Sequence, residues 1–155
     1  MAQITVRAAR REDAEFLVRG NAEMALETEH LSLDLDRLRE GVHALFDDPS
    51  RGLYWIAEVE GRRAGQMMIT YEWSDWRNGS FWWIQSVYVV PAFRSQGVFR
   101  SLYRHVENLA RNDGGVCGLR LYVEQENSRA QATYEKCGMS ATGYRMFEAD
   151  FVIRR

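Results

Sequence analysis

Residues 86–103 read SVYVVPAFRSQGVFRSLY, and the rest of the chain is best interpreted from this stretch. An apolar strand, Phe81–Val90, ends at a proline, and a polar loop with Arg94 and Gly97 leads directly into an amphipathic helix. The first N–H groups of a helix have no partner within it, and the helix dipole leaves partial positive charge there. Because Gly97 lets the backbone approach a ligand and Arg94 and Arg100 add charge, the junction suits a diphosphate. A plain strand–loop–helix connection is the alternative.

Periodicity orders the whole chain as β-α-α-β-β-β-α-β-α-β. Alternating apolar residues predict strands, and apolar residues at spacings of three and four predict helices. The predicted elements are a strand at Gln3–Ala8, a helix from Arg11 towards Thr28, a helix capped by Asp34, strands at Leu53–Val59, Ala64–Trp73 and Phe81–Val90, a helix at Gly97–Asn112, a strand at Val116–Val123, a helix from Asn127 to Gly138, and a final strand at Gly143–Ile153. This order predicts a single α/β domain covering residues 1–155, with a mixed, mostly antiparallel sheet.

The composition narrows the class of protein. The 155 residues carry 20 Lys and Arg against 22 Asp and Glu, whereas proteins that bind nucleic acid or anionic membranes carry a basic surplus. No apolar run approaches the ~20 residues of a membrane span, and residues 1–11 lack the apolar core of a signal peptide. Cys117 and Cys137 have no metal-ligand spacing, so reduced thiols and no metal site are expected. We therefore expect a cytoplasmic protein with neither nucleic acid nor membrane as its partner.

Two motifs resemble the signatures of the GCN5-related N-acetyltransferase (GNAT) superfamily. The first is residues 86–103. The second is NSRAQATYEKCGM at residues 127–139, which is similar to the family pattern N-x-x-A-x-x-x-Y-x-x-x-G-F with Met139 in place of phenylalanine. The opening ITVRAA, residues 4–9, is similar to the family's first strand. The resemblance implies a GNAT fold of about six to seven strands and four helices, splayed at the coenzyme A site.

The resemblance also implies acetyl-coenzyme A (acetyl-CoA) as cosubstrate. Backbone groups of Val87, Tyr88 and Val89 are expected to bind the pantetheine amides in the manner of an added strand. The pyrophosphate is expected on the loop and the first helical turn, where the implied residues are Arg94, Ser95, Gln96, Gly97, Val98, Phe99 and Arg100. Asn127 is implied as a helix cap that also contacts the cofactor. Phe99 stands where the family often has a small residue, so its ring is expected to pack inward or to shape the adenine end.

The resemblance implies one catalytic acid and leaves the base open. Tyr134 matches the tyrosine that protonates the departing thiolate, and a packed helix aromatic is the alternative. Relatives often carry Glu or His on the central strand, where this chain has Trp83 and Gln85, neither of which can deprotonate an ammonium. Glu72, at the end of the preceding strand, is the first predicted base, and Glu27 and Glu29, in the connection between the first two helices, are further candidates. A solvated surface carboxylate at Glu72, with water relaying the proton, is the alternative.

The acceptor is expected to be a primary amine that carries positive charge. Carboxylates attract such a group, and an aromatic wall can bind it through cation–π contacts. The predicted acceptor residues are Glu27, Glu29, Trp73, Trp76 and Gln85. Four of the five tryptophans lie within residues 73–83, and alternatively they pack the sheet or a homodimer contact. Trp76 is expected at the acceptor mouth or at a subunit interface.

The predicted function is therefore N-acetyl transfer from acetyl-CoA to a small-molecule amine, by direct attack in a ternary complex. Positioning, and polarisation of the thioester carbonyl by backbone donors, would supply much of the rate. Two alternatives stay open. One is a non-catalytic acyl-CoA-binding sensor or partner module, which the missing base on the central strand favours. The other is acetylation of protein lysines or N-terminal amines.

Overall fold

The computed structural model describes residues 2–154, and the chain divides into two compact units, Met1–Tyr122 and Val123–Arg155. Each unit is described by itself. That the whole chain forms one domain stays a prediction. Among the described residues, no helix is both long enough and apolar enough to cross a membrane.

The first unit contains three helices and a five-stranded sheet within the described residues. Its elements are β1 Ile4–Ala8, α1 Ala14–Glu29, α2 Leu35–Asp47, β2 Leu53–Val59, β3 Arg62–Ser74, β4 Gly79–Val89, α3 Val98–Asn112 and β5 Val116–Arg120. Short 3-10 turns precede α1 and follow β4. The strand order is β1-β2-β3-β4-β5, with antiparallel pairings up to β4 and a parallel pairing of β4 with β5. The mixed, mostly antiparallel sheet is as predicted.

Local sequence accounts for the ends of several elements. Asp34 caps α2 as predicted, because its Oδ1 accepts hydrogen bonds from the N–H groups of Asp36 and Arg37. Glu60 and Gly61 connect β2 to β3 with φ values of +50° and +76°. Two successive left-handed residues are what a type I′ hairpin turn requires. The turn therefore sets β3 directly beside β2.

The sheet buries both of its faces. Tyr54 and Ile56 of β2 belong to a core cluster with apolar residues of α1 and α2. Trp55 lies between them and points to the opposite face, where its ring centroid is 6.3 Å from that of His105 in α3 and 6.3 Å from that of Trp82. The first two helices therefore cover one face and α3 covers the other.

A buried carboxylate ties the start of α1 to the sheet. Asp13 is fully buried and accepts hydrogen bonds from the Arg7 guanidinium at 2.8 and 3.0 Å, from Arg63 Nε at 2.8 Å and from the Arg10 N–H at 2.7 Å. Burial by itself raises the pKa of Asp13, but the hydrogen bonds from Arg7, Arg10 and Arg63 outweigh it and hold the pKa well below its usual range. Since Arg7 lies in β1 and Arg63 in β3, these bonds position α1 over the sheet.

The second unit contains one helix within the described residues, α4 Ser128–Lys136. Asn127 caps it as predicted, because its Oδ1 accepts a hydrogen bond from the Ala130 N–H at 3.1 Å. Gly138 follows the helix with a φ of +101°, which is the left-handed conformation that commonly ends a helix.

The predicted final strand, Gly143–Ile153, does not form. Residues 139–154 contain neither helix nor strand, so the described sheet has five strands and the expectation of about six to seven is wrong. β5 also ends at Arg120, three residues short of the predicted Val123. An alternating pattern indicates which side chains can share a face, but a strand also needs hydrogen bonds from a neighbouring strand. Local sequence does not supply that neighbour.

Candidate functional site

β4 carries a bulge next to the predicted diphosphate junction. Gln66 of β3 pairs with Tyr88, and Met68 pairs with Gln85, so two residues of β4 stand opposite one residue of β3. Ser86, in the bulge, has a φ of +50°, which is uncommon for a residue with a side chain. Bulges re-aim side chains and are frequent beside active sites.

The bulge changes which residues of β4 point towards α1. Before the bulge, Gln85 lies on the face covered by α1 and α2, since its partner Met68 packs against their core cluster. After the bulge, Tyr88 lies on that face, since its hydroxyl donates to Glu23 Oε2 of α1 at 2.7 Å. In a regular strand, positions 85 and 88 would point to opposite faces. The extra residue therefore turns Tyr88 towards α1.

A cluster of polar side chains, mostly buried, holds the bulge against α1. Gln66 is fully buried, and its Nε2 donates to the carbonyl oxygens of Ser86 at 3.3 Å and Leu17 at 3.5 Å. Its Oε1 has no hydrogen-bond partner among the described residues. Tyr54 accepts a hydrogen bond from Asn21 Nδ2 at 3.0 Å and bonds the Ser86 side chain, while burial raises the pKa of its phenol. The conformation of Ser86 thus depends on three separate elements.

The sheet opens on the β5 side of β4 from just before the bulge. The parallel ladder of β4 with β5 begins at Ser80 and ends at Trp83, whereas β4 itself continues to Val89. Within the described part of the chain, no strand pairs with that side of β4 after Trp83. The predicted pantetheine-binding residues, Val87–Val89, lie in this opened part. An extended molecule with amide groups can add to such a strand edge.

The N-terminus of α3 lies beside open space. Gly97 precedes the helix with a φ of +86°, and a Cβ built on it would meet no atom within 4 Å. Ser95 is also left-handed, with a φ of +63°. The first bond within the helix joins the Ser101 N–H to the Gly97 carbonyl, and the N–H groups at the start of a helix point outward along its axis. This arrangement can bind an anion such as a diphosphate.

Gly65 lets the first turn of α3 lie against β3. A Cβ on Gly65 would come within 2.9 Å of Val98 Cγ1, closer than real Cβ contacts allow, and within 3.1 Å of the Tyr88 carbonyl oxygen, which is tighter than most of them. The helix terminus is therefore held beside the end of β4. Phe99 in the same turn is half-buried, with its ring centroid 6.2 Å from that of Tyr103. Its ring contacts Tyr103 along α3, and its packing inward or shaping the adenine end stays a prediction.

Arg94 joins the predicted cofactor loop to α1. Its Nε donates to the Val89 carbonyl at 2.9 Å, and its Nη2 donates to Glu27 Oε2 at 2.9 Å. The guanidinium carbon lies 5.4 Å from the ring centroid of Tyr88, whose hydroxyl donates to both Glu23 and Glu27. Burial and the hydrogen bond to Glu23 raise the pKa of Tyr88. The predicted acceptor carboxylate Glu27 thus contacts the predicted cofactor arginine directly.

Glu72 is part of an ion pair. Its Oε1 accepts a hydrogen bond from Arg120 Nη1 at 2.6 Å, and the Arg120 guanidinium carbon lies 3.7 Å from the ring centroid of Phe81. The pair therefore ties the end of β3 to the end of β5. Gln85 Nε2 donates to the Thr70 hydroxyl on the same face of the sheet.

The tryptophans do not form one aromatic wall. Trp82 is buried and stacks on Trp55 in the core beneath α3. Trp83 points to the other face, with its ring centroid 6.1 Å from that of Tyr122. These two rings pack the sheet, which was the alternative to an acceptor role.

The two other tryptophans of the group are exposed. Trp73 is 63% and Trp76 84% exposed in the single chain. Trp73 and Glu72 are neighbours in β3, so they point to opposite faces and cannot line one cleft. The placement of Trp76 at an acceptor mouth or subunit interface stays a prediction. Glu29 is exposed at the last position of α1.

Tyr134 and Asn127 lie in the second unit. Tyr134 is half-buried on α4, and burial, with a smaller contribution from Cys137, raises the pKa of its phenol. The phenol is therefore protonated at neutral pH, which is the state that a proton donor needs. The acid role of Tyr134 stays a prediction.

Residues 20–139 match the family model described as the acetyltransferase (GNAT) family. The chain belongs to this family. The resemblance of residues 86–103 and 127–139 to GNAT sequences is therefore confirmed. Acetyl-CoA is the acyl donor that GNAT proteins use. The opened edge of β4 fits the amides of its pantetheine arm, and the N-terminus of α3 fits its pyrophosphate.

Relatives of this GNAT chain are named as acetyltransferases. A solved structure, a possible acetyltransferase from Clostridium difficile 630, is 43% identical with a TM-score of 0.89, over 97% of this chain and 99% of that one. The thialysine N-epsilon-acetyltransferase of Caenorhabditis elegans is 32% identical over 52% of this chain and 49% of its own length. The mycothiol acetyltransferase of Corynebacterium aurimucosum is 28% identical over 83% of this chain and 43% of its own. The chain spans about half or less of these two curated relatives.

Sequence reasoning missed three residues of this GNAT site. Gln66 interrupts the apolar run of β3, and Asn21 interrupts the buried face of α1. Polar residues at such positions are a readable signal, because buried polar groups require partners. Glu23 carries no such signal, because its contact with Tyr88 depends on the bulge.

Proposed function

We propose that this GNAT protein transfers the acetyl group of acetyl-CoA to the primary amine of a small, cationic acceptor. The observation that carries the proposal is the meeting of the bulged, opened end of β4 with the N-terminus of α3, where left-handed Gly97 begins the helix. A strand edge suits the amides of a pantetheine arm, and a helix N-terminus suits a pyrophosphate.

The chain's own residues would bind and orient the donor. The N–H groups of residues 95–100 hold the pyrophosphate, and Arg94, oriented by Val89 and Glu27, keeps positive charge beside it. Backbone groups of Val87–Val89 bind the pantetheine amides. When bound, acetyl-CoA supplies an activated acetyl carbonyl. Backbone N–H donors at the bulge polarise that carbonyl without needing to reorganise.

The transfer needs one proton donor and one proton acceptor. Attack by the neutral acceptor nitrogen forms a C–N bond to the acetyl carbon and breaks the C–S bond, and the nitrogen then releases its remaining extra proton to solvent as the amide forms. Tyr134 gives its phenolic proton to the leaving sulfur and regains one from solvent. The acceptor ammonium first loses a proton to Glu72, directly or through water, and Arg120 competes with this step.

The charge around α1 supports a cationic acceptor. Glu23 and Glu27 lie on α1, and both carboxylates contact the Tyr88 hydroxyl. Of these two carboxylates, Glu27 is the one that contacts Arg94. Glu29 follows on the same helix. The curated relative named for thialysine N-epsilon acetylation is consistent with an amine acceptor.

The test is release of free thiol from acetyl-CoA over a panel of amines. The panel holds polyamines, basic amino acids, aminoglycosides, and peptides with a lysine or a free N-terminus. We expect amine-dependent thiol release on a small cationic amine, and a loss of about 10²–10⁴-fold in kcat for Tyr134→Phe, the range for a general acid. Glu72→Gln should lower kcat, whereas Arg120→Gln should not.

Two other outcomes would change the proposal. Tight coenzyme A binding with no thiol release on any amine would support the acyl-CoA sensor, which the Glu72–Arg120 pair favours. Release on peptides alone would support acetylation of protein amines. Location in the cytoplasm, absence of nucleic-acid or membrane partners, and a homodimer are part of the proposal and are tested separately.

A further inference from the structure

Two arginine side chains of the first unit lie against one phenylalanine ring. The guanidinium carbon of Arg120 is 3.7 Å from the ring centroid of Phe81, and that of Arg77 is 4.9 Å from it. At 3.7 Å the Arg120 guanidinium must stack on the face of the ring, because an approach from the edge would overlap the ring atoms. Such stacking attracts a guanidinium and holds it in one orientation.

The charges of this group do not balance within the first unit. Glu72 Oε1 accepts a hydrogen bond from Arg120 Nη1 at 2.6 Å, whereas Arg77 Nη1 donates to the neutral Ser74 hydroxyl at 3.3 Å. Within the described residues of the first unit, Arg77 forms no ion pair, and Nε and Nη2 of Arg120 have no hydrogen-bond partner. Two cations therefore share one carboxylate, and guanidinium donors remain for an anion.

Arg120 stands at the point where β4 and β5 separate. It is the last residue of β5, and it pairs with Trp83, the last residue of β4 in that ladder. The register places Glu72, Trp83, Gln85 and Arg120 on one face of the sheet. Gln85 is a predicted acceptor residue, and the bulge proposed to polarise the thioester follows directly after it. The arginine therefore belongs to the acceptor side of the proposed site.

We propose that Arg120, with Arg77 at the same ring, binds a carboxylate of the acceptor, so that the acceptor is a basic amino acid and not a polyamine. The inference rests on the proposed function, whose cationic amine it narrows to one chemical class. A guanidinium fork matches the two oxygens of a carboxylate. Ammonium groups meet the carboxylates described above, Glu72 among them, so a basic amino acid satisfies both signs of charge.

The first experiment compares basic amino acids with the amines that lack their carboxylate. The pairs are L-lysine with cadaverine and L-ornithine with putrescine. Calorimetric titration into the protein with bound coenzyme A gives each Kd without catalysis. We expect each amino acid to bind about 10- to 150-fold more tightly than its diamine, the range of a hydrogen bond to a charged group. Equal binding, tighter binding of the diamines, or binding of none of the four overturns the inference.

Thiol release from acetyl-CoA with the same four amines separates this inference from the proposed function. Release with cadaverine as efficient as with lysine keeps the proposed function and overturns the carboxylate site. Preferential binding of lysine without any thiol release keeps the carboxylate site and overturns the proposed function.

Substitutions distinguish recognition from a purely structural ion pair. Arg120→Gln should raise the KM for lysine about 10- to 150-fold without raising the KM for cadaverine. Glu72→Gln breaks the same pair but retains the guanidinium, so calorimetry should still show the lysine preference. The matched control is Arg39→Gln, which breaks a pair with Glu15 between α1 and α2 and should leave the preference unchanged.

Two results with these variants would overturn the inference. One is a folded Arg120→Gln variant that keeps the full lysine preference, and the other is a preference lost equally in Glu72→Gln. If Arg120→Gln does not fold, Arg120→Lys decides, because it keeps the charge but loses the fork. It should reduce the lysine preference, and an undiminished preference overturns the inference.

Discussion

Replacing Gln66 with methionine should weaken coenzyme A binding while leaving the fold almost as stable. Methionine has nearly the same length and volume as glutamine, so no cavity forms. What is lost is the Nε2 donor to the Ser86 and Leu17 carbonyls, at 3.3 and 3.5 Å. Only the first of these bonds holds the bulge of β4, so the conformation of Ser86 should lose one hydrogen bond of support.

The magnitudes separate the two effects. A neutral hydrogen bond contributes about 0.5–1.5 kcal/mol net, and a buried polar atom without a partner costs about 1–3 kcal/mol. Gln66→Met loses two long bonds but also removes the unpartnered Oε1, so the free energy of unfolding should change by less than about 2 kcal/mol. Loss of the bulge bond alone should raise the Kd for coenzyme A by about 2- to 13-fold.

Urea unfolding and calorimetric titration with coenzyme A measure these two quantities. The control is Met67→Leu, a volume-conserving change at the neighbouring buried position on the opposite face of β3. It should leave the Kd unchanged. A Gln66→Met variant that unfolds more easily by more than about 3 kcal/mol but binds coenzyme A normally would refute the reasoning, because Gln66 would then support the fold and not the bulge.

Three further perturbations test other parts of the molecule. Gly97→Ala places a Cβ in open space at a left-handed residue, so it should cost about 1 kcal/mol of stability and weaken coenzyme A binding. The control is Gly61→Ala, which has the same strain at the β2–β3 turn and should cost as much stability but bind coenzyme A normally. Equal Kd values for the two variants would argue against a diphosphate at α3. Asp13→Asn should lower the free energy of unfolding by about 1.5–3 kcal/mol, since it weakens the charged hydrogen bonds from Arg7 and Arg63, whose side chains are partly exposed. Because the folded pKa of Asp13 is depressed, its contribution to stability is present above its unfolded pKa near 4 and is lost as pH falls below that value. The free energies of unfolding from urea titrations at pH 7 and pH 3 should therefore differ less for the variant than for the unmodified chain. An unchanged difference would contradict this. Glu27→Gln breaks a half-exposed pair with Arg94, so the free energy of unfolding should change by at most about 1 kcal/mol. The KM for a cationic amine should rise. A rise confined to the KM for acetyl-CoA would instead assign Glu27 to orienting Arg94.

Local sequence was sufficient for the features that depend on neighbours in the chain. The Asp34 and Asn127 caps, the Glu60–Gly61 turn and the start of α3 after Gly97 follow from side chains and backbone freedom within a few residues. The pattern of residues 86–103 therefore indicated the diphosphate junction before any contact was known.

The expected strand at Gly143–Ile153 shows where local reasoning ends. Its alternation is real, but pairing depends on an edge that another part of a chain must present. The same limit applies to Glu72, whose partner Arg120 is 48 residues away. It also applies to the tryptophans of residues 73–83, which form one group in the sequence. In the structure Trp82 and Trp83 lie on opposite faces of the sheet, and Trp73 and Trp76 are exposed to solvent.

The sequence by itself determined that the chain is a GNAT protein and where its helices and first strands lie, while the pyrophosphate site at residues 94–100 stays a prediction. Only the tertiary structure decided that Ser86 forms a bulge held by Gln66, that this bulge turns Tyr88 towards Glu23, and that Arg94 binds Glu27. The physical reason is distance along the chain. Caps and turns are settled by neighbouring residues, whereas the bulge and the cluster at α1 require strands and a helix to meet, and those meetings depend on the packing of the whole sheet.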